Sequence, residues 1–147
     1  MAIQFENRFL TNTADNGVIW AVGSFNSLYV TTSGELYATG SGGTAIVGAS
    51  FATVTIAGQV FGDTGIRTDQ FDGYGGSIVS VLESGIVTGD TYGVLMSGSY
   101  NTVTIAGQVS GRTAIRMDQS SVSGFGGGTV TVGAGGVVSG GASAASR

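Results

Sequence analysis

The chain has 147 residues and a net charge of −4, with 28 glycines and no proline, cysteine or histidine. This length suits a single domain, and the missing residue types exclude a histidine-containing catalytic triad, a thiol nucleophile, a disulfide framework and a Cys/His zinc site. The acidic isoelectric point near 4.3 argues against nucleic acid and anionic membranes as partners, because both attract positively charged surfaces.

The first predicted element is an N-terminal arm, residues 1–16. Its apolar residues are Ile3, Phe5, Phe9 and Leu10. They suffice for one strand or a short flap, and we expect the arm either to cap its own first coil or to contact another copy. These four residues are therefore candidate subunit contacts. Glu6 and Arg8 interrupt the apolar stretch of a cleavable signal peptide, and no run reaches the ~20 apolar residues of a membrane-spanning helix. We expect export without such a signal, and no membrane insertion.

An internal repeat occupies the rest of the chain. Residues 53–60, TVTIAGQV, recur unchanged at 102–109, an offset of 49 residues. Each repeated unit divides into two coils. The first runs of the five coils begin at Ile19, Ile46, Ile66, Leu95 and Ile115. Self-similarity at such a period is typical of stacked repeat architectures.

Each coil contains two further short runs of alternating apolar residues. The second runs contain Leu28 and Val30, Val54 and Ile56, Val79 and Val81, Val103 and Ile105, and Val130 and Val132. The third runs contain Leu36, Val60, Val87, Val109 and Val138. Alternation at period two, with many β-branched residues, predicts strands rather than helices.

These patterns predict an all-β fold over residues 17–141: a right-handed parallel β-helix, or β-solenoid, of about five coils with three short strands per coil. Residues 142–147 are predicted to be a C-terminal tail. Each coil would pair its backbone with the coils on either side at ~4.8 Å. A sandwich or barrel also has short strands and turns, but neither explains the 49-residue repeat.

A resemblance to known proteins lies in residues 101–111, NTVTIAGQVSG, and in the TAIR that follows at 113–116. These segments resemble the degenerate β-solenoid repeats of bacterial surface and secreted proteins, namely filamentous-haemagglutinin-like proteins, autotransporter passenger regions and the non-calcium regions of RTX-type exported proteins. The resemblance implies an extracellular or cell-surface stalk, adhesin or structural fibre. The calcium-binding pattern GGxGxD of RTX proteins is missing, since the closest stretch, 72–76, lacks its spacing. We therefore expect no metal and no cofactor.

One column of first-run residues is predicted to face outward. It consists of Trp20, Val47, Arg67, Met96 and Arg116, one from each coil. The apolar members Trp20, Val47 and Met96 indicate a lateral contact, because contiguous exposed apolar surface usually has a partner. Asp69 and Asp118 follow the arginines by two residues, which predicts two surface Arg–Asp pairs. A polysaccharide lyase or hydrolase would use such carboxylates catalytically, but we expect no enzyme because only two acids lie on this face.

Aromatic residues recur at corners and in loops. The first corners of coils one to four are predicted to carry Phe25, Phe51, Phe71 and Tyr100. In the two longer loops, 70–76 and 119–128, Tyr74 aligns with Phe125. Aromatic ladders are usually structural, but rings on loops of a rigid scaffold also bind neighbours or glycans. Tyr74 and Phe125 are therefore candidate lateral or ligand contacts.

The C-terminal end of the predicted solenoid has no helical or charged cap. Its last coil runs through Val137 and Val138 into a tail of small residues, so unpaired backbone groups and an open core would be exposed there. The resulting hypothesis is a structural subunit that polymerises head to tail with copies of itself into an extracellular or cell-surface filament. The alternative is an adhesin or glycan-binding β-helix module.

Overall fold

Fourteen strands make up the part of the chain that the structure describes. This computed structural model describes residues 2–4, 8–10, 18–38, 40–69, 76–118 and 127–145, with side chains from Ile19 to Gly140 within those ranges. The strands are β1 (Ala2–Gln4), β2 (Arg8–Leu10), β3 (Val18–Val22), β4 (Ser27–Val30), β5 (Glu35–Ala38), β6 (Thr44–Gly48), β7 (Thr53–Ile56), β8 (Gln59–Thr68), β9 (Ile78–Val81), β10 (Ile86–Ser97), β11 (Thr102–Ile105), β12 (Gln108–Asp118), β13 (Thr129–Val132) and β14 (Val137–Ala145). Over these ranges there is no helix that could cross a membrane.

The strands stack into two parallel sheets. Sheet A has the order β1-β4-β7-β9-β11-β13, and sheet B has the order β2-β5-β8-β10-β12-β14, with β3 and β6 joined to β8. Neighbouring strands come from successive coils and pair in parallel, so the prediction of an all-β parallel β-solenoid is confirmed. The coils form about four turns, close to the five predicted. Strands β8, β10, β12 and β14 are long because each continues round a corner into the next coil.

The second and third runs line the core as predicted. In β11, Val103 and Ile105 are fully buried, whereas Thr104 between them is exposed. The column of third-run residues in register is Leu36, Val60, Val87, Val109 and Val138. All of these except the last are fully buried. Each coil therefore buries its apolar side chains together with those of its neighbours.

A glycine stands at the second corner of each coil. These residues are Gly34, Gly58, Gly85, Gly107 and Gly136. A Cβ at Gly107 would overlap the carbonyl oxygens of Leu82 and Gly85 in the preceding coil. The corner requires glycine because the backbones of successive coils approach closely there.

The predicted outward column is wrong at Trp20 and Met96. The column observed is Ala21, Val47, Arg67, Leu95 and Arg116. Met96 is fully buried. Trp20 is in register with the buried Ile46 and packs, half-buried, against the core. The lateral contact expected from these two side chains therefore has no basis on this face.

One extra residue in coil four explains the error at Met96. The first strand of coil two ends at Gly48, three residues before the corner residue Phe51, whereas Met96 precedes the equivalent corner residue, Tyr100, by four. An insertion of one residue moves every side chain beyond it to the opposite face of a strand. The exact 49-residue repeat therefore does not extend back into the first strand.

The buried side chain of Asn101 supports the backbone around this extra residue. Its Nδ2 donates hydrogen bonds to the carbonyl oxygens of Ser97 and Gly98 at 3.0 and 3.2 Å, and its Oδ1 accepts one from the Ser77 N–H at 3.0 Å. Gly98 has a φ of 109°, which favours glycine. The amide of Asn101 thus pairs two carbonyl groups next to the extra residue and one N–H group of coil three.

The N-terminal arm extends the stack of its own chain. β1 pairs with β4 in sheet A, and β2 pairs with β5 in sheet B. The candidate contacts Ile3, Phe9 and Leu10 therefore lie in strands of these sheets, and Phe5 lies outside the described residues. Of the two predicted roles of the arm, capping its own first coil is the one that the strand pairing supports.

Candidate functional site

Over the described residues, each end of the solenoid has a sheet edge that no further strand covers. Strands β13 and β14 end the two sheets on one side, and β1, β2 and β3 end them on the other. Within the described ranges, each of these five strands pairs with one neighbour only. Edge strands present rows of unpaired N–H and C=O groups that can bind a further strand. All of these strands run in parallel. An edge strand at the C-terminal end of one copy can therefore pair in parallel with an edge strand at the N-terminal end of another.

Valines of the last coil are exposed at the C-terminal edge. Val130, Val132 and Val137 are 42%, 50% and 51% exposed. Val103 and Ile105, which are in register with the first two, are 0% exposed. The apolar core columns therefore remain uncovered at this end.

Val137 and Val138 were predicted as contacts from the sequence, whereas Val130 and Val132 were not. Val137 is exposed, but it is in register with the outward residues Ile86 and Gln108, so its exposure does not come from the open end. Val138 is half-buried and packs against the core. The signal that could have found the missed residues is their position, since they occupy the second run of the last coil in the sequence. An inner column without a following coil must end in exposed side chains.

At the opposite edge, the same columns end in different residue types. Ala2 and Gln4 lie in the two columns that reach Val130 and Val132 at the far end. Arg8 lies in the column that reaches Val138. The two ends of the solenoid are thus chemically different, with small and polar residues at one and valines at the other.

Exposed aromatic rings stack at the first corner. The ring centroids of Phe25 and Phe51 are 4.8 Å apart with planes inclined by 10°, and Phe25 is 77% exposed. Both residues and Tyr100 have a φ of 60°, a left-handed conformation that is rare for bulky residues. In coil three this position belongs to Gly76, where a Cβ would lie 2.8 Å from the Phe51 ring. Phe71, which was predicted to occupy the corner of coil three, lies outside the described residues.

A second aromatic stack lies on the outer face of sheet B. The rings of Tyr37 and Phe61 have centroids 4.6 Å apart. Burial, and secondarily the charge of Glu35, raise the pKa of Tyr37 above its ordinary value.

A shallow cavity of about 190 Å³ is lined by Ala38, Gly40, Phe61, Gly62, Thr88 and Asp90. It is smaller than the ~300–1,000 Å³ of sites for drug-sized ligands. The predicted loop contacts Tyr74 and Phe125 lie outside the described residues.

Two Arg–Asp pairs occur where the spacing predicted them. Arg67 Nε lies 3.0 Å from Asp69 Oδ1, and Arg116 Nε lies 2.9 Å from Asp118 Oδ1. Hydrogen bonds from Arg116 to Asp118, and at 3.0 Å to the Tyr92 hydroxyl, raise the pKa of the guanidinium. Each carboxylate is therefore held by its own arginine as a surface ion pair. In the described portion of the chain, no group of three or more acids could hold a metal ion.

Comparison with protein-family models, with curated protein sequences and with solved structures finds no match to this chain. The resemblance to bacterial surface proteins therefore stays a prediction that rests on the repeat residues. The ends and outer faces of the solenoid are the features from which a function has to be argued.

Proposed function

We propose that this chain is a structural subunit, without enzymatic activity or cofactor, that assembles head to tail with copies of itself by coaxial stacking. The observation that carries the proposal is the exposure of Val130 and Val132, in columns whose members from β4 to β11 are buried. A coil added at this edge covers them. The opposite edge of a second copy supplies such a coil in the required direction.

The junction continues both sheets without a change in pairing. In it, β13 of one copy lies beside β1 of the next, and β14 lies beside β2 and β3, as parallel neighbours. The contact joins two unlike surfaces, and a heterologous contact that does not close into a ring generates a filament. The proposed product is therefore a fibre whose β-strands lie across its long axis.

The energetics make the junction concentration-dependent. Covering a half-exposed valine contributes about 1 kcal/mol, and each new backbone hydrogen bond contributes ~0.5–1.5 kcal/mol. The loss of translational and rotational freedom on association costs ~4–15 kcal/mol. Two core-column valines and two paired strands supply a gain of comparable size, so we expect assembly to require a high local concentration of the protein.

An extracellular or cell-surface location forms part of the proposal. It rests on the resemblance of residues 101–116 to the repeats of bacterial surface proteins and on the chain's low content of charged residues, 10%. A filament displayed outside the cell would carry the outer faces of the sheets along its length. Contact with a glycan or a cell surface would then use those faces rather than the ends.

The experiment compares Val132→Asp with Thr131→Asp. Both variants place one negative charge on β13, but Val132 lies in a core column and Thr131 lies on the outer face. Concentrated wild-type protein and Thr131→Asp are expected to form filaments in negative-stain electron micrographs, whereas Val132→Asp stays monomeric with an unchanged β-rich circular dichroism spectrum.

Three outcomes count against the proposal. Wild-type protein that remains monomeric at its solubility limit contradicts assembly. Equal filament formation by the two variants contradicts the role of the core column. A dimer that does not grow, detected by sedimentation velocity, indicates contact between two like ends and excludes the head-to-tail arrangement.

A further inference from the structure

The outer face of sheet A carries hydroxyl groups at almost every position. The side chains that alternate with the core residues form two columns along the solenoid. The first column is Ser27, Thr53, Ile78, Thr102 and Thr129, and the second is Tyr29, Thr55, Ser80, Thr104 and Thr131. Only Ile78 lacks a hydroxyl group. We call these two columns the hydroxyl array.

The hydroxyl array is regular in two directions. The pairings among β4, β7, β9, β11 and β13 run without a register shift, whereas those of sheet B shift, for example between Gly89 and Tyr92. Neighbouring strands repeat at ~4.8 Å, and residues two apart along a strand at ~6.6 Å. Oxygen atoms on the prism planes of hexagonal ice also repeat in two perpendicular directions, at distances of the same order. The protein therefore presents hydroxyl groups at spacings that suit ordered water.

The hydroxyl groups of the array are available to water. Among the described residues, none of its serine and threonine hydroxyls has a hydrogen-bond partner in the protein. On sheet B, by contrast, the hydroxyls of Thr88 and Ser110 bond to each other at 3.1 Å. A hydroxyl both donates and accepts hydrogen bonds, and the χ1 angle of threonine is stiff. The array can therefore hold water molecules in fixed positions.

The face is also free of charge. The strands of sheet A, within the ranges described, contain no aspartate, glutamate, lysine or arginine, although protein surfaces are typically ~25–35% charged. The ion pairs of Arg67 and Arg116 lie on sheet B instead. A charged group would bind water tightly in its own hydration shell. An uncharged array leaves its water free to match a lattice.

From these observations we propose that the hydroxyl array is an ice-binding surface. Its ligand is the prism-type face of an ice crystal, which is bound through rows of hydroxyl-held water with the threonine methyl groups lying between them. The rigid sheet fixes the hydroxyl positions before binding, so little conformational entropy is lost on contact. The array lies on the flank of the solenoid. It therefore functions in a single copy and does not depend on assembly at the ends.

The test measures thermal hysteresis, the gap between the melting and freezing points of a single ice crystal, together with crystal shape. Purified wild-type protein is expected to shape ice into facets and to open a gap that grows with concentration. Thr104→Lys places a charge inside the array, on its fourth strand, and lowers the gap by about fivefold, because the charge orders water around itself. Gln108→Lys is the matched control: it is an exposed outward residue in the same coil, on sheet B, and it leaves the gap unchanged.

A second variant completes the array instead of interrupting it. The double substitution Ile78→Thr/Ser80→Thr gives coil three the same pair of threonines as coils two and four. We expect it to widen the hysteresis gap by about twofold, because stiff threonine side chains replace an apolar and a freely rotating one. Circular dichroism spectra identical to that of the wild type exclude unfolding as the cause of any change.

The proposal is overturned if folded wild-type protein neither shapes ice crystals nor produces a hysteresis gap at its highest soluble concentration. It is also overturned if Thr104→Lys and Gln108→Lys reduce the gap equally, since ice would then contact another surface. A double variant with unchanged activity contradicts the assignment of the array as the contact. None of these results bears on filament formation, which Val132→Asp tests separately.

Discussion

Strands β11 and β13 have nearly the same sequence and opposite environments. β11 reads TVTI and β13 reads TVTV, and the two strands are adjacent in exact register. Yet Val103 is 0% exposed and Val130 is 42% exposed. The difference is that β11 lies between two coils, whereas β13 has a described neighbour on one side only. In this fold, burial is supplied by the adjacent coil and cannot be read from the strand itself.

The largest difference in stability is expected between variants of these two valines. Val103→Asp buries an unpaired carboxylate in the core and should destabilise the fold by about 4 kcal/mol or more. Val130→Asp places the same charge at the exposed end and should change the free energy of unfolding by less than about 1 kcal/mol. Urea denaturation followed by circular dichroism measures both. Similar losses would show that the last coil is covered in solution.

Two glycines allow the same comparison between an inner coil and the last coil to be made at the corners. A Cβ at Gly107 would overlap two carbonyl oxygens of the preceding coil, whereas at Gly133, in the last coil, its nearest contact is 3.6 Å away. Gly107→Ala should therefore cost about 2–3 kcal/mol through overpacking, and Gly133→Ala should be close to neutral. Thermal melting of the two variants provides the check. Equal melting temperatures would mean that the corners are looser than the structure indicates.

A smaller effect is expected at two asparagines that share one column. Asn101 is buried and makes three hydrogen bonds to the backbone, whereas Asn26, in the equivalent position of coil one, is exposed. Asn101→Ala should cost about 2 kcal/mol, because buried backbone groups lose their partners. Asn26→Ala should cost less than about 0.5 kcal/mol. A loss of stability at Asn26 as large as that at Asn101 would contradict the supporting role assigned to the Asn101 side chain.

Much of the fold could be predicted because period-two alternation is a local property of the sequence. The second- and third-run columns, including Leu36 and Val109, followed from it directly. The inward and outward faces of the first strands could not all be predicted in this way. One residue inserted before the corner of coil four turns Met96 inward. An insertion that leaves the repeat identical elsewhere has no sequence signal. The arm remained ambiguous because three-residue strands such as β1 and β2 carry no periodicity.

The candidate surfaces were less predictable than the core. Val137 and Val138 were predicted from their place near the end of the repeat, but the exposure of Val130 and Val132 depends on what lies beside them in three dimensions. The hydroxyl array likewise requires the register of five strands, since each strand alone shows at most two residues with a hydroxyl group. Long-range register is the physical information that the sequence of one coil does not contain.

The most direct test of head-to-tail stacking mixes wild-type protein with a small proportion of Val132→Asp. This variant keeps a normal N-terminal end, so it can add to the open C-terminal end of a growing filament and then block the next addition. The account predicts that filament length, measured in electron micrographs, falls in proportion to the fraction of variant added, while Thr131→Asp leaves length unchanged. Filaments of undiminished length in the presence of Val132→Asp would contradict it.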